Sequence, residues 1–130
     1  MTGAPPKTVL IADDTAFVRD RFAHALQSAG HRAVALQSAA ELLARVRADR
    51  HLIDLIVLDL RLPNAGGIEL VRAIRRIDEG QLPILVFSGT IGTADEVRQL
   101  AALGVAGYVN EYSALQHILQ IGRASCRERV

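Results

Sequence analysis

The chain has 130 residues, of which half are hydrophobic, and its formal net charge is +1. A chain of this size can bury one hydrophobic core but has no room for a second domain of ordinary size. The small charge does not indicate nucleic-acid binding, and no apolar run approaches the ~20 residues of a membrane span. We therefore expect a soluble, cytoplasmic protein that binds neither nucleic acid nor a membrane.

Short runs of strand-forming residues alternate with helical patterns along the chain. We predict strands at 8–12, 32–36, 54–59, 83–87 and 106–109. Apolar residues at helical spacing predict a helix after each strand: Val18, Phe22, Ala25, Leu26 and Ala29; Leu42, Leu43 and Val46; Leu70, Ile74 and Ile77; Val97, Leu100 and Ala101; Leu115, Ile118 and Leu119. This alternation predicts an α/β fold with a doubly wound, five-stranded parallel sheet.

Capping signals mark several helix ends. The spacing of a capping box occurs in three pairs: Ser38 with Glu41, Thr93 with Glu96, and Ser113 with Gln116. Gly30 and Gly104 stand where two helices are expected to end. The third helix carries three arginines that we expect to form a solvated face: Arg72, Arg75 and Arg76.

Polar side chains follow three of the predicted strands at the point where each strand ends. Asp13 and Asp14 follow the first strand, Asp59 closes the third, and Ser88 follows the fourth. Ligands of open parallel α/β sheets bind beyond the carboxyl ends of the strands, so we expect these side chains to converge. Carboxylates about 4 Å apart repel by about 4 kcal/mol, and such clusters usually hold a cation or have shifted pKa values. The sequence therefore predicts a site for a hard divalent metal.

These residues belong to a longer pattern. It consists of Asp13-Asp14, Asp59 with Pro63 and Gly67, Ser88-Gly89, and Gly107-Tyr108-Val109. Together these motifs resemble the receiver domain of bacterial two-component response regulators, the CheY-like family, over residues 8–120. The resemblance implies a flavodoxin-like (βα)5 fold with strand order 2-1-3-4-5.

The resemblance also implies a function in a phosphorelay. Asp59 would accept a phosphoryl group from a sensor histidine kinase or a phosphotransfer protein, and the change would pass to an output protein or an attached domain. The implied cofactor is Mg²⁺, with these ligands: Asp14, Asp59, the main-chain carbonyl of Arg61, and Asp13 mostly through water. Ser88 would hydrogen-bond the phosphoryl group. Tyr108 would be the switch residue, although plain packing is an equal alternative for it.

The sequence departs from the family pattern after the fifth strand. A lysine followed by a proline is expected there, but the positions hold Glu111 and Tyr112, and the chain's only lysine is Lys7. A negative charge beside a phosphoryl group of about −1.5 to −2 turns an attraction into a repulsion. Either another cation, such as Arg61, compensates, or the domain is a pseudo-receiver that works as an interaction module without phosphorylation.

Two enzyme classes fit the sequence less well. A metal-dependent hydrolase on a similar sheet would need a further acid or base and a cap over its substrate, and the predicted connections are too short to form one. A phosphate-binding P-loop would need a glycine-rich segment that ends in lysine, which the stretch from Gly89 to Gly92 lacks. We therefore expect a domain that accepts phosphate and slowly loses it, not a turnover enzyme.

The last ten residues are set apart from the receiver domain, which we assign to residues 1–120. Residues 121–130 resemble the in-frame translation of a common sequencing-library adaptor, and we expect them to be a non-native tail that cuts the last helix short. An effector domain that followed Gln120 would then be missing. Cys126, the only cysteine, lies in this tail. Dimerisation through the last two helices and the last strand is left open.

Overall fold

Strands and helices alternate in this computed structural model, which describes residues 6–63, 66–89, 92–110 and 113–116. The strands are β1 (Thr8–Ala12), β2 (Arg32–Leu36), β3 (Leu55–Asp59), β4 (Ile84–Ser88) and β5 (Gly107–Asn110). The helices are α1 (Ala16–Ser28), α2 (Ala39–Asp49), α3 (Gly67–Asp78) and α4 (Ala94–Ala102), with a 3₁₀ turn at Arg50–Leu52. Residues 113–116 are also helical.

The five strands form one parallel sheet in the order β2-β1-β3-β4-β5. This confirms the predicted fold class and the strand order that the resemblance implies. The strands β3, β4 and β5 each begin one residue later than predicted. Asp54 lies before β3, and its carboxylate accepts a hydrogen bond from the N–H of Thr8, the first residue of β1, at 2.8 Å. Pro83 precedes β4 and has no N–H to donate to a ladder.

The hydrophobic core covers both faces of the sheet, because alternate residues of a strand point to opposite sides. Buried strand residues packed with α2, α3 and α4 are Leu10, Ala12, Leu36, Ile56, Leu58, Ile84 and Val86. Strand residues packed with α1 are Val9, Ile11, Leu55, Val57, Leu85 and Phe87. The three inner strands β1, β3 and β4 are therefore almost wholly apolar, and polar side chains enter only at their ends.

The predicted helix faces are mostly buried, but α4 differs. Val18, Phe22 and Leu26 of α1 are buried, whereas Val97 of α4 is 49% exposed. Ala101, also assigned to the buried face, is exposed. Leu100 is the only buried residue of α4, so this helix contributes one side chain to the core and leaves Val97 and Ala101 exposed.

The sequence predicted that Arg75 lies on a solvated helix face, but its side chain is only 11% exposed. Its guanidinium forms an ion pair with Asp78 at 2.9 Å, and the Asp78 side chain is 1% exposed. Further hydrogen bonds from Arg75 reach the carbonyl oxygens of Leu82, Leu103 and Gly104 at 2.7, 2.7 and 3.0 Å. Arg75 therefore joins the end of α3 to the segment before β4 and to the turn after α4.

The capping predictions are partly correct. A complete capping box starts α4, whereas the Glu41 carboxylate accepts from the N–H of Gln37 and not from that of Ser38. The third box is wrong as predicted, because Ser113 is itself helical and its N–H donates to Asn110 Oδ1 at 2.8 Å. Gly30 and Gly104 do follow helix ends, with φ of +88° and +73°. Within the described ranges, no helix has the length and apolar character that crossing a membrane requires.

Candidate functional site

Three carboxylates meet beyond the carboxyl ends of β1 and β3. Asp13 and Asp14 follow β1, Asp59 is the last residue of β3, and one carboxylate oxygen from each lies within 4.8 Å of the others. The neighbouring strands β1 and β3 run in the same direction, so their ends deliver these side chains to one edge of the sheet. The structure thus brings together the acidic residues that the sequence singled out.

Hydrogen bonds fix both the side chain and the main chain of Asp13. Its Oδ1 accepts from the Thr15 N–H at 2.7 Å, and its main-chain carbonyl accepts from the Arg19 guanidinium at 2.8 Å. The Asp13 main-chain N–H donates to the carbonyl of Leu36 in β2 at 3.1 Å. Asp13 is 3% exposed, whereas Asp14 is exposed. One carboxylate therefore forms the floor of the site, and the other lies at its rim.

Asp59 is intermediate in burial between Asp13 and Asp14. Its Oδ1 accepts from the Arg61 N–H at 2.9 Å. Burial is the main cause that raises the pKa of Asp59 from 3.8 to about 7; the hydrogen bond from the Arg61 N–H opposes the rise, and the neighbouring Asp13 and Asp14 add to it. Negative charge at this position is therefore costly unless a cation neutralises it.

The donor chemistry of the cluster suits a hard divalent cation. Three carboxylates supply only oxygen ligands, as Mg²⁺ prefers, and the exposed rim leaves space for the several waters that Mg²⁺ retains. The carbonyl of Arg61, implied as a further ligand, belongs to the turn directly after Asp59.

The close approach of Gly67 to Leu60 supports this turn. A Cβ atom at Gly67, the first residue of α3, would collide with the Leu60 carbonyl oxygen and would lie 2.8 Å from Leu60 Cγ. The Leu60 N–H in turn donates to the carbonyl of Phe87 in β4 at 2.8 Å. The motif glycine therefore lets α3 begin directly against the turn that carries Asp59 and Arg61.

Ser88 and Tyr108 line a cavity of about 310 Å³ at the carboxyl ends of β4 and β5, together with Gly92 and Val97. Ser88 is 3% exposed at the end of β4. The Tyr108 hydroxyl is buried and has no hydrogen-bond partner among the described residues. A Cβ atom at Gly92 would collide with that hydroxyl, so only glycine allows the ring to lie where it does. Burial is the main cause that raises the pKa of Tyr108 above its usual range, and the negative charge of Glu96 adds to it.

Sequence reasoning missed an ion pair that joins the turn after Asp59 to α4. The Arg61 guanidinium donates to both carboxylate oxygens of Glu96, at 2.9 and 3.2 Å. The two residues are 35 positions apart, and the sequence had marked Glu96 only as a helix cap. No periodic or capping signal predicts such a contact, because it depends on how α4 packs beside the β3–α3 turn.

Some predicted features lie outside the described residues. These are Glu111 and Tyr112, which depart from the family pattern, Ile118 and Leu119 of the fifth predicted helix, and the tail at 121–130. Their assignments stay predictions, as does the extent of the domain to residue 120.

The sequence matches the response regulator receiver domain family over residues 9–122. It is 32% identical over 111 residues to the virulence transcriptional regulatory protein PhoP of Salmonella typhimurium (strain 14028s / SGSC 2262), which covers 85% of this chain and 48% of PhoP. It is 38% identical over 103 residues to the acid tolerance regulatory protein ActR of Rhizobium meliloti (strain 1021), which covers 76% of this chain and 50% of ActR. The chain thus spans about half the length of these curated relatives.

A solved structure shows the same fold. It is a response regulator protein from Burkholderia pseudomallei with a phosphorylated aspartic acid, a calcium ion and citrate. The TM-score is 0.76 at 22% identity, and the likeness covers 92% of this chain and 66% of the other. Because the family match also extends over most of the sequence, the chain belongs to the response regulator receiver domains.

Proposed function

We propose that this domain accepts a phosphoryl group on Asp59 from a sensor histidine kinase or a phosphotransfer protein, and that this modification switches an output. The observation that carries the proposal is the position of the Asp59 carboxylate within 4.8 Å of two other carboxylates at the sheet edge. The pKa of Asp59 is raised to about 7, so this site favours a partner that neutralises the Asp59 charge.

The proposed reaction transfers one phosphoryl group from a phosphohistidine donor to the Asp59 carboxylate. A carboxylate oxygen of Asp59 attacks phosphorus, the bond from phosphorus to the phosphohistidine nitrogen breaks, and the electron pair leaves with the imidazole. Bound Mg²⁺ would neutralise charge on the approaching anion. Asp13, Asp14, Asp59 and the Arg61 carbonyl are the proposed ligands, and Ser88 is the proposed hydrogen-bond donor to the phosphoryl oxygens.

The relatives support a regulatory output. PhoP is a transcriptional regulatory protein, ActR is an acid tolerance regulatory protein, and each is about twice the length that this chain matches. The solved relative from Burkholderia pseudomallei carries a phosphorylated aspartic acid and a calcium ion. By analogy, we assign this domain a cytoplasmic role in which a further domain or a separate protein reads the state of Asp59. Its own chemistry would be limited to accepting phosphate and slowly losing it.

Labelling by a small phosphodonor tests the proposal. Incubation with acetyl phosphate and Mg²⁺ should add the mass of one phosphoryl group, and Asp59→Asn should abolish this addition, as measured by intact-protein mass spectrometry. Asp95→Asn is the control, because it removes an exposed carboxylate from α4 outside the acidic cluster. A wild-type protein that binds Mg²⁺ without becoming labelled would contradict the proposal.

A second candidate, the pseudo-receiver, is favoured by the replacement of the expected lysine and proline by Glu111 and Tyr112. If repulsion from Glu111 weakens the phosphorylated state, Glu111→Lys should lengthen the half-life of the label, on the order of tenfold for a close charge reversal. Glu79→Lys makes the same charge change at the exposed end of α3 and should leave the half-life unchanged. Equal half-lives in both variants would show that the proposed repulsion is absent.

A further inference from the structure

A phosphorylated Asp59 would need a positive charge nearby, but this chain has Glu111 where the family pattern has a lysine. The phosphoryl group carries about −1.5 to −2 charges at neutral pH. Lys7 is the only lysine, and it precedes β1, whereas the acidic cluster follows β1. Because a five-residue strand spans about 16 Å, the Lys7 side chain lies at the wrong end of the sheet.

Arg61 is the arginine nearest to Asp59 in the sequence, two residues after it. Its main-chain N–H donates to the Asp59 carboxylate at 2.9 Å, so the base of the side chain is fixed beside the acceptor. The guanidinium itself turns to α4, where it binds both oxygens of Glu96, and the Arg61 side chain is 42% exposed. Arg19, a second arginine near the acidic cluster among the described residues, donates to the main-chain carbonyl of Asp13 on the α1 side.

The Arg61–Glu96 pair can open without leaving Glu96 unsatisfied. The Glu96 carboxylate also accepts from the Thr93 N–H at 3.3 Å, and the Thr93 hydroxyl accepts from the Glu96 N–H at 3.1 Å. This capping box is local to α4 and does not need Arg61. Partly exposed ion pairs are weak, and a phosphoryl group offers a guanidinium more charge than a carboxylate does, in the same two-pronged geometry.

We propose that phosphorylated Asp59 takes the Arg61 guanidinium from Glu96, so that Arg61 supplies the missing positive charge and the broken pair releases the start of α4. The inference rests on the proposed function of Asp59 as phosphoacceptor. Arg61 thereby binds the phosphoryl group, and Glu96 competes for Arg61 in the unphosphorylated state. The Tyr108 ring, in the cavity beside α4, lies within the electrostatic influence of both residues.

Competition predicts opposite effects from the two members of the pair. Arg61→Gln keeps the main-chain N–H and carbonyl but removes the charge, and it should shorten the half-life of the acetyl-phosphate label on the order of tenfold, the effect of losing one charged hydrogen bond. Glu96→Gln keeps a side chain that capping boxes accept, and it should lengthen the half-life severalfold. The double variant should behave like Arg61→Gln, because Glu96 acts through Arg61.

Matched controls come from a second ion pair on the same helix, whose members lie one and two residues from Glu96 along the chain. Arg98→Gln and Asp95→Asn break an exposed ion pair of α4, with side chains 72% and 66% exposed, and should leave the half-life unchanged. If the Arg61–Glu96 pair were merely structural, both single variants would shift the half-life in the same direction. That result, or equal half-lives in all variants, would overturn the inference while leaving the proposed function in place. Absence of label in the wild type would overturn both.

Discussion

Replacing Asp78 with alanine is expected to lower the free energy of unfolding by about 3–5 kcal/mol, because it leaves one partner of a buried ion pair without its counter-charge. Asp78 is 2% exposed at the end of α3. One carboxylate oxygen accepts from Arg75 and from the Leu82 N–H, both at 2.9 Å, and the other accepts from the Gly80 N–H at 2.8 Å. The substitution removes all three hydrogen bonds at once and opens the turn between α3 and β4.

The same helix offers a matched control for this prediction. Arg72 and Glu69 also form an i, i+3 ion pair, but their side chains are 38% and 70% exposed. Glu69→Ala should therefore cost no more than about 1 kcal/mol. Urea denaturation followed by circular dichroism measures both values. Equal costs for the two substitutions would show that Arg75 and Asp78 are solvated, as the sequence alone had suggested for Arg75.

Replacing Asp59 with asparagine is expected to stabilise the domain in a metal-free buffer at pH 8, by roughly 1–3 kcal/mol. The pKa of Asp59 is about 7 in the folded chain, above its ordinary value of 3.8, so folding disfavours the charged form. The native state therefore loses stability as pH rises from about 4 to about 7, and the loss is complete above that range. The roughly three units between these pKa values set an upper limit of about 4 kcal/mol, which solvent at the rim of the site reduces.

The advantage of the asparagine variant should depend on pH and on Mg²⁺. It should vanish below about pH 4, where the carboxyl group is protonated in both folded and unfolded states. Addition of Mg²⁺ should raise the stability of the wild type more than that of Asp59→Asn. A ligand stabilises the folded state that binds it, and the variant lacks one of the three carboxylates of the cluster. Asp20→Asn, an exposed carboxylate of α1, is the control and should change stability little. A chelator-treated Asp59→Asn that is less stable than the wild type at pH 8 would contradict the prediction.

Local sequence patterns were sufficient for the architecture and for part of the site. Continuous apolar runs predict buried parallel strands, and in such a sheet the strand ends necessarily share one edge. Hence Asp13, Asp14 and Asp59 could be expected to converge before any coordinates were known. The predicted strand positions are correct to within one residue. Asp54 and Pro83 were predicted as first strand residues, but β3 and β4 begin directly after them.

Contacts between distant segments were decided only by tertiary packing. A charged residue on a helix reads as solvent-facing whether or not another segment folds over it, so the burial of Arg75 beneath the turn after α4 has no local signal. The same holds for Arg61 and Glu96, which meet because α4 packs with Leu100 in the core and its first turn next to the β3–α3 turn. The sequence by itself determined the sheet and the acidic edge, since these follow from periodicity and strand direction. The ion pairs around that edge depend on helix placement, which periodicity does not specify.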